Sequence, residues 1–336
     1  MRAWWLSLAV ATSVLSPAAA LAWGDSGHRM IGRLGAESLP DELPGFLRTP
    51  DAAQDVGELA REPDRSRNAG KIHDTDRDPA HFVDVDDNGK VLGGPALEAL
   101  PPTREDYDTA LRAAGADAVK AGWLPYAIVD GYQQLEKDFA LWRLAAAGER
   151  LEKDPVRRAW IAADRRRRER LIVRDLGVWA HFVGDATQPM HISVHYNGWG
   201  EGPNPHGYST ERLHVSWEGA YVSLNVREAD VRSRLKPYGG CRCPIEPRVA
   251  QYLKASWGQV IPFYELEKAG GFKPSDPRGV AFAADRLAEA ASELRDLAVD
   301  AWRSSALMSV GYPAARIEDV EAGRADAYDL LHGMDP

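Results

Sequence analysis

Residues 181–191 read His181-Phe182-Val183-Gly184-Asp185-Ala186-Thr187-Gln188-Pro189-Met190-His191. They close a stretch that opens with Asp154-Pro155 and carries Trp160, Leu171, Val178 and Phe182 at helical spacing until Pro189. An Asp-Pro pair starts a helix well, and a later proline ends or kinks it. His181 and Asp185, four residues apart, therefore share a helix face, where an imidazole and a carboxylate can reach one cation.

Helical spacing recurs on both sides of this stretch. Asp25 or Ser26 is suited to cap a first helix carrying Met30, Ile31 and Leu34. Residues 38–102, rich in Pro, Asp and Gly, read as short helices and loops. Thr103 opens a helical stretch to about Val119, and Leu124, Ile128, Tyr132, Leu135, Phe139 and Trp142 mark a longer one. A glycine-rich loop, 195–208, precedes a helix with Leu213, Trp217 and Tyr221 that Ser209 or Thr210 would cap. Further helices are expected around 247–267 and 277–305, and the chain is weakly patterned after Gly311. No internal repeat is present. The expected fold is all-α: a single mostly helical domain over 23–311 with a C-terminal tail, 312–336.

Residues 1–22 have another character. Arg2, the apolar run Trp4 to Leu15 and the small-residue site Ala20-Leu21-Ala22 read as a signal peptide, which predicts an exported protein, periplasmic or secreted. A membrane anchor fits less well, because Ser7, Thr12, Ser13, Ser16 and Pro17 interrupt the run. The formal net charge of the full chain is -9, and losing Arg2, the one charged residue of 1–22, takes it to -10. So acidic a chain excludes broad electrostatic capture of nucleic acid unless a local positive site compensates. Cys241 and Cys243 could form a disulfide or remain two thiols, and alone they cannot complete a thiolate zinc site. The run Arg165 to Arg168 with Arg170 reads as a solvated helix face.

The spacing of His181 and Asp185 is repeated in His214-Val-Ser-Trp-Glu218. One such pair usually means a surface ion pair. Two pairs together with His191 point to metal. His81-Phe82-Val83-Asp84 and Asp64-Arg65-Ser66-Arg67 add ligand types from the irregular segment, where loops held by a metal need little secondary structure. Cleavage after Ala22 would expose Trp23-Gly24-Asp25-Ser26-Gly27-His28, whose free amine and carbonyl could chelate beside His28.

In these motifs the sequence resembles the S1/P1 nuclease family, which shares its fold with zinc-dependent bacterial phospholipase C. The resemblance spans Trp23 to Glu218 by motif. It implies three Zn2+ ions: the first held by Asp64, His81, His181 and Asp185, the second by His191, His214 and Glu218, and the third by Trp23, His28 and Asp185, so that Asp185 bridges two. Imidazole and carboxylate ligands suit zinc. The resemblance also gives Asp64, Arg67 and Asp185 catalytic roles, with Arg67 stabilising charge in the transition state, and places Phe82 and Asp84 in a base pocket. Three dications against Asp64, Asp185 and Glu218 leave a cationic centre in an acidic chain. The implied activity is hydrolysis of single-stranded DNA and RNA to 5'-phosphorylated products, with 3'-nucleotidase activity on nucleotides, by a monomer needing no obligate protein partner.

Two details depart from the nuclease pattern. Glu218 stands where the nucleases more often have Asp, as in the phospholipase branch, and Gly202-Pro203-Asn204 replaces a Gly-Gly-Asn loop. A phospholipase C acting on phosphatidylcholine is therefore the main alternative. A noncatalytic zinc-binding protein of the periplasm is the alternative of another class, disfavoured because the second ion would have only three protein ligands. His73, His195, His206 and His332 are left over and expected at the surface.

Overall fold

A computed structural model describes residues 23–200, 202–241 and 243–333. The expected signal peptide lies outside the described residues. Within them the chain is mostly helical, with a single two-stranded hairpin, Ser309–Val310 against Ala315–Arg316. No described helix is long and apolar enough to cross a membrane.

Two long antiparallel helices, Leu124–Leu151 and Pro155–Asp185, form the centre. Asp154 caps the second through the amides of Val156 and Arg157, as its Asp-Pro start predicts. Leu135, Phe139, Ile172, Leu176 and Trp179 are buried in the main apolar core. Gly131 lets the pair approach closely, since a β-carbon there would lie 2.0 Å from the Trp179 ring, whose indole donates to the carbonyl of Ile128. Gly131→Ala should force the ring out of place and lower stability by about 1–3 kcal/mol, the usual cost of overpacking, read as a fall in urea midpoint at unchanged slope.

The first helix, Gly24–Glu37, and the long helix Pro277–Ser305 pack together against this centre. Their contact belongs to a second core rich in aromatics, including Trp23, Trp217, Phe263, Tyr264 and Leu287. Neither Asp25 nor Ser26 caps the first helix. Trp23 does so by position, in a left-handed conformation; its indole has no acceptor to offer the first amides and instead donates inward to the carbonyl of Gly184 at 2.8 Å. Asp25 instead meets Arg61 at the surface.

Other boundaries also moved. The stretch from Thr103 divides into Arg104–Ala113 and Ala118–Ala121, since Gly115 turns left-handed and Asp117 caps a new start. The 247–267 region divides into Ile245–Trp257 and Val260–Lys268. Pro189 does not end the central helix, which stops at Asp185; it opens a 3-10 turn, Pro189–Ile192, capped by the Gln188 side chain. Ser209 and Thr210 cap nothing: the next helical segment begins at His214, and Ser216–Tyr221 is wound as a π-helix. The tail is folded. Ile317, Val320 and Ala327 bury against Ala140 and Leu144 of the centre in a third cluster. Cys241 and Cys243 are joined in a disulfide. The arginine run meets Asp164, Glu149 and Glu169 along its own helix and the neighbouring one.

Candidate metal centre

The C-terminus of Pro155–Asp185 places His181 and Asp185 inside the protein, both fully buried. A helix C-terminus carries partial negative charge and favours a cation. Gly184, between them, allows the first helix to pass: a β-carbon there would lie 2.9 Å from Ile31 and 3.3 Å from the His28 ring. His28 thereby stacks on His181 at 3.9 Å, with Nε2 3.5 Å from Asp185 Oδ1.

The other oxygen of Asp185 faces a different set. Oδ2 lies 3.1 Å from His81 Nδ1 and 3.3 Å from His181 Nε2. Asp64, in the short helix Glu62–Arg65, brings Oδ1 to 3.9 Å from His81 Nδ1 and 3.8 Å from His181 Nε2. His191, on the 3-10 turn, has Nε2 3.5 Å from Glu218 Oε2, and His214 Nε2 is 2.8 Å from the same oxygen. Three groups result, His28–His181–Asp185, Asp64–His81–His181 and His191–His214–Glu218, each with ligand atoms within 4.8 Å of one another. His181 falls in both of the first two groups, but its bond to Ala60 leaves only Nε2 for a metal, so that ring can hold one ion, and Asp185, with an oxygen facing each side, is the residue able to bridge.

Trp23 is fixed beside the first of these. Its carbonyl accepts the Gly27 amide at 3.2 Å, which leaves a second lone pair on that oxygen. Gly24 rests on the Glu218–Gly219 backbone, so the start of the first helix touches the segment carrying the His214 group.

Tautomers follow from the carbonyls. Nδ1 of His181, His191 and His214 lies 2.8, 2.6 and 2.7 Å from the carbonyl oxygens of Ala60, His81 and Tyr196. A carbonyl only accepts, so each Nδ1 carries a proton and, in the neutral ring, Nε2 is a bare lone pair. Yet His191 Nε2 and His214 Nε2 face each other at 3.0 Å. Positive charge is needed between them: a proton on His191 Nε2 supplies it, and a bound cation would take that proton's place. His28 Nε2, Asp185 Oδ1 and Glu218 Oε1 are also buried with no hydrogen-bond partner. Buried polar atoms without partners cost energy, and a dication in each of the two groups they belong to would offset that cost.

The electrostatics agree. Burial, with His181 nearby, holds His28 well below the usual imidazole range, and burial pushes His81 down to about 3, so both are neutral donors. Burial works against charge on Asp185, but His181 and His191 outweigh it and keep the carboxyl well below its ordinary range. Burial likewise opposes charge on His191, yet Asp185 and Glu218 carry that ring up to about 9. The carboxylates here call for positive charge. Burial opposes charge on His181 too, but Asp185 and Asp64 raise it, so a metal would displace a proton from His181 and His191 while finding His28, His81 and the Asp185 carboxylate already in the ligating state.

In comparisons with known proteins, the chain matches no family model and no curated protein.

A cleft of about 620 Å³ opens onto the centre, lined by His81, His191 and His214 and, on its walls, by Arg67, Phe82, Asp84, Lys120, Tyr196 and Asn197. The three residues expected to meet substrate, Arg67, Phe82 and Asp84, are brought together there. Arg67 Nε meets Asp64 Oδ1 at 2.7 Å. Burial raises the Asp84 carboxyl to about 7, so at neutral pH it can donate as well as accept. A second cleft, of about 650 Å³, lies beside Arg104, Trp123 and Trp179 and reaches only His81 among the residues of the three groups.

Sequence reasoning missed Lys120, Tyr196 and Asn197, which lie in stretches without pattern. It also put His195 at the surface. The ring is buried, stacked on Trp199 and bonded to Asp87 at 2.9 Å, and it pins the loop whose next residue, Tyr196, holds His214. His206 and His332 are exposed and His73 is half-buried.

Proposed function

We propose that the chain is an exported zinc-dependent phosphodiesterase of the S1/P1 nuclease type, cutting single-stranded DNA and RNA to 5'-phosphorylated products. The observation that carries this reading is the convergence of His28, Asp64, His81, His181, Asp185, His191, His214 and Glu218 on one buried centre at the floor of an open cleft. The donor set, five imidazoles and three carboxylates with no thiolate, suits three zinc ions, with His181 holding one of them through Nε2 and Asp185 shared between two.

Zinc bound there would polarise phosphoryl oxygens and lower the pKa of water to about 7. The chain's own residues supply the rest. Arg67, braced by Asp64, presents a guanidinium to the phosphate. Phe82 offers a stacking face, and Asp84 meets the polar edge of a base. A base that must enter this cleft comes more cheaply from an unpaired strand.

The cleft also bears on the phospholipase alternative. Arg67 and Lys120 on its wall favour the further phosphates of a polynucleotide, while Asp78, Asp84, Phe82 and Tyr196 on the same wall suit the quaternary ammonium of a phosphocholine, so assay of both substrates decides between them. The noncatalytic alternative fits poorly with ligand groups that open to a cleft rather than closing on themselves. The mature chain from Trp23, supplied with zinc, is to be assayed side by side on single-stranded DNA and on phosphatidylcholine vesicles. Oligonucleotides with 5'-phosphates are expected. Lipid turnover without nucleotide release would reverse the order of the two activities.

A further inference from the structure

We infer that Gln188 is a positioning residue for the His191–His214–Glu218 group, and that its amide sets how tightly that group holds a divalent cation. Gln188 is fully buried. Its backbone spans two ligands, its N–H donating to the carbonyl of Asp185 at 3.0 Å and its carbonyl accepting from His191 at 2.9 Å. Its side chain crosses to the other arm of the site, with Nε2 2.8 Å from Glu218 Oε2 and 3.2 Å from His214 Nε2.

The orientation of the amide is forced from both ends. Oε1 accepts the Met190 N–H at 2.7 Å, which only an oxygen can do. The opposite end faces a carboxylate oxygen and an imidazole lone pair, where an oxygen would be repelled and an NH2 is held. One residue therefore joins the arm 181–191 to the arm 214–218. It holds Glu218 by Oε2, the oxygen that also faces His191 and His214, while Oε1 is buried without a hydrogen-bond partner. Partners of this kind fix ligand orientation, and their loss typically costs about 10–100-fold in metal affinity or activity.

The inference rests on the reading that this group holds zinc, and two substitutions separate the two claims. Gln188→Leu removes both the cap on Met190 and the donor to Glu218. Gln188→Glu keeps the acceptor toward Met190 but puts a carboxylate oxygen where the amide nitrogen stands, beside Glu218 Oε2 and His214 Nε2, where the two carboxylates repel until a cation lies between them. A three-ligand set then gains a fourth and comes to resemble a closed structural site.

Zinc affinity is to be measured on the mature chain by competition with a chromogenic chelator, and melting temperature with and without zinc. Gln188→Leu should weaken one zinc equivalent about 10–100-fold, with unchanged far-UV circular dichroism. Gln188→Glu should move the other way, with tighter zinc, a larger zinc-dependent rise in melting temperature and slower hydrolysis. A merely structural cap predicts no tightening. Wild-type affinity in both variants overturns the role of Gln188, and if Gln188→Leu does not fold, wild-type affinity in Gln188→Glu alone does so. Failure of the unaltered chain to bind zinc overturns the metal reading instead.

Discussion

Asp185→Asn is expected to lose one or two zinc equivalents per chain and to slow phosphodiester hydrolysis by more than about 10²–10³-fold, the scale for removing one charge-stabilising group. The reason is local. The two oxygens of Asp185 face different neighbours, Oδ1 toward His28 and Oδ2 toward His81 and His181, so one carboxylate serves two ligand groups. Asparagine keeps the shape and removes the charge. It also offers an NH2 to one of those groups, where a donor opposes a cation. Metal analysis of the purified variant, set against its hydrolysis rate, checks the expectation. Full zinc content with full activity would remove Asp185 from the site.

Arg67→Ala is expected to act differently, lowering kcat about 10²–10³-fold while zinc content stays at the wild-type level. Removing one well-placed donor from a developing charge costs about 2.7–4 kcal/mol. Arg67 lies on the wall of the cleft and meets Asp64, which faces His81 and His181. A purely structural brace would therefore betray itself by loss of zinc along with activity. Steady-state kinetics and metal analysis on the same preparation separate the outcomes. Unchanged kcat would end the assignment of Arg67 to the chemistry.

Much of this arrangement is legible in the sequence because it is built from local periodicity. His181 with Asp185, and His214 with Glu218, share faces through a four-residue offset that a helix turns into proximity. The central helices were readable from Leu124 and Asp154-Pro155 for the same reason. Asp64, His81 and His28 have no such local signal. Their residue types mark them as candidates, but only the resemblance groups them into sites, and the fold brings His28 close because Gly184 and Gly27 let the first helix run near the centre.

What escaped the sequence depends on tertiary context. Nothing local distinguishes Ser209 or Thr210 from a working cap; the helix start shifts to His214, whose amide is met by Asn197 and whose ring is held by Tyr196. The π-turn at Ser216–Tyr221 likewise has no pattern of its own, and such turns are frequent at functional sites. His195 seemed superfluous because its partner, Asp87, lies 108 positions away. Gln188 stood in plain view within the 181–191 stretch, but an amide between ligands gains meaning only when the 214–218 arm is seen opposite it.

The most direct measurement is an anomalous difference map, collected at the zinc edge, from crystals of the mature chain. Three peaks are expected, one within each of the groups His28–His181–Asp185, Asp64–His81–His181 and His191–His214–Glu218. A map with no peak among these residues, from protein that hydrolyses its substrate, would contradict the account.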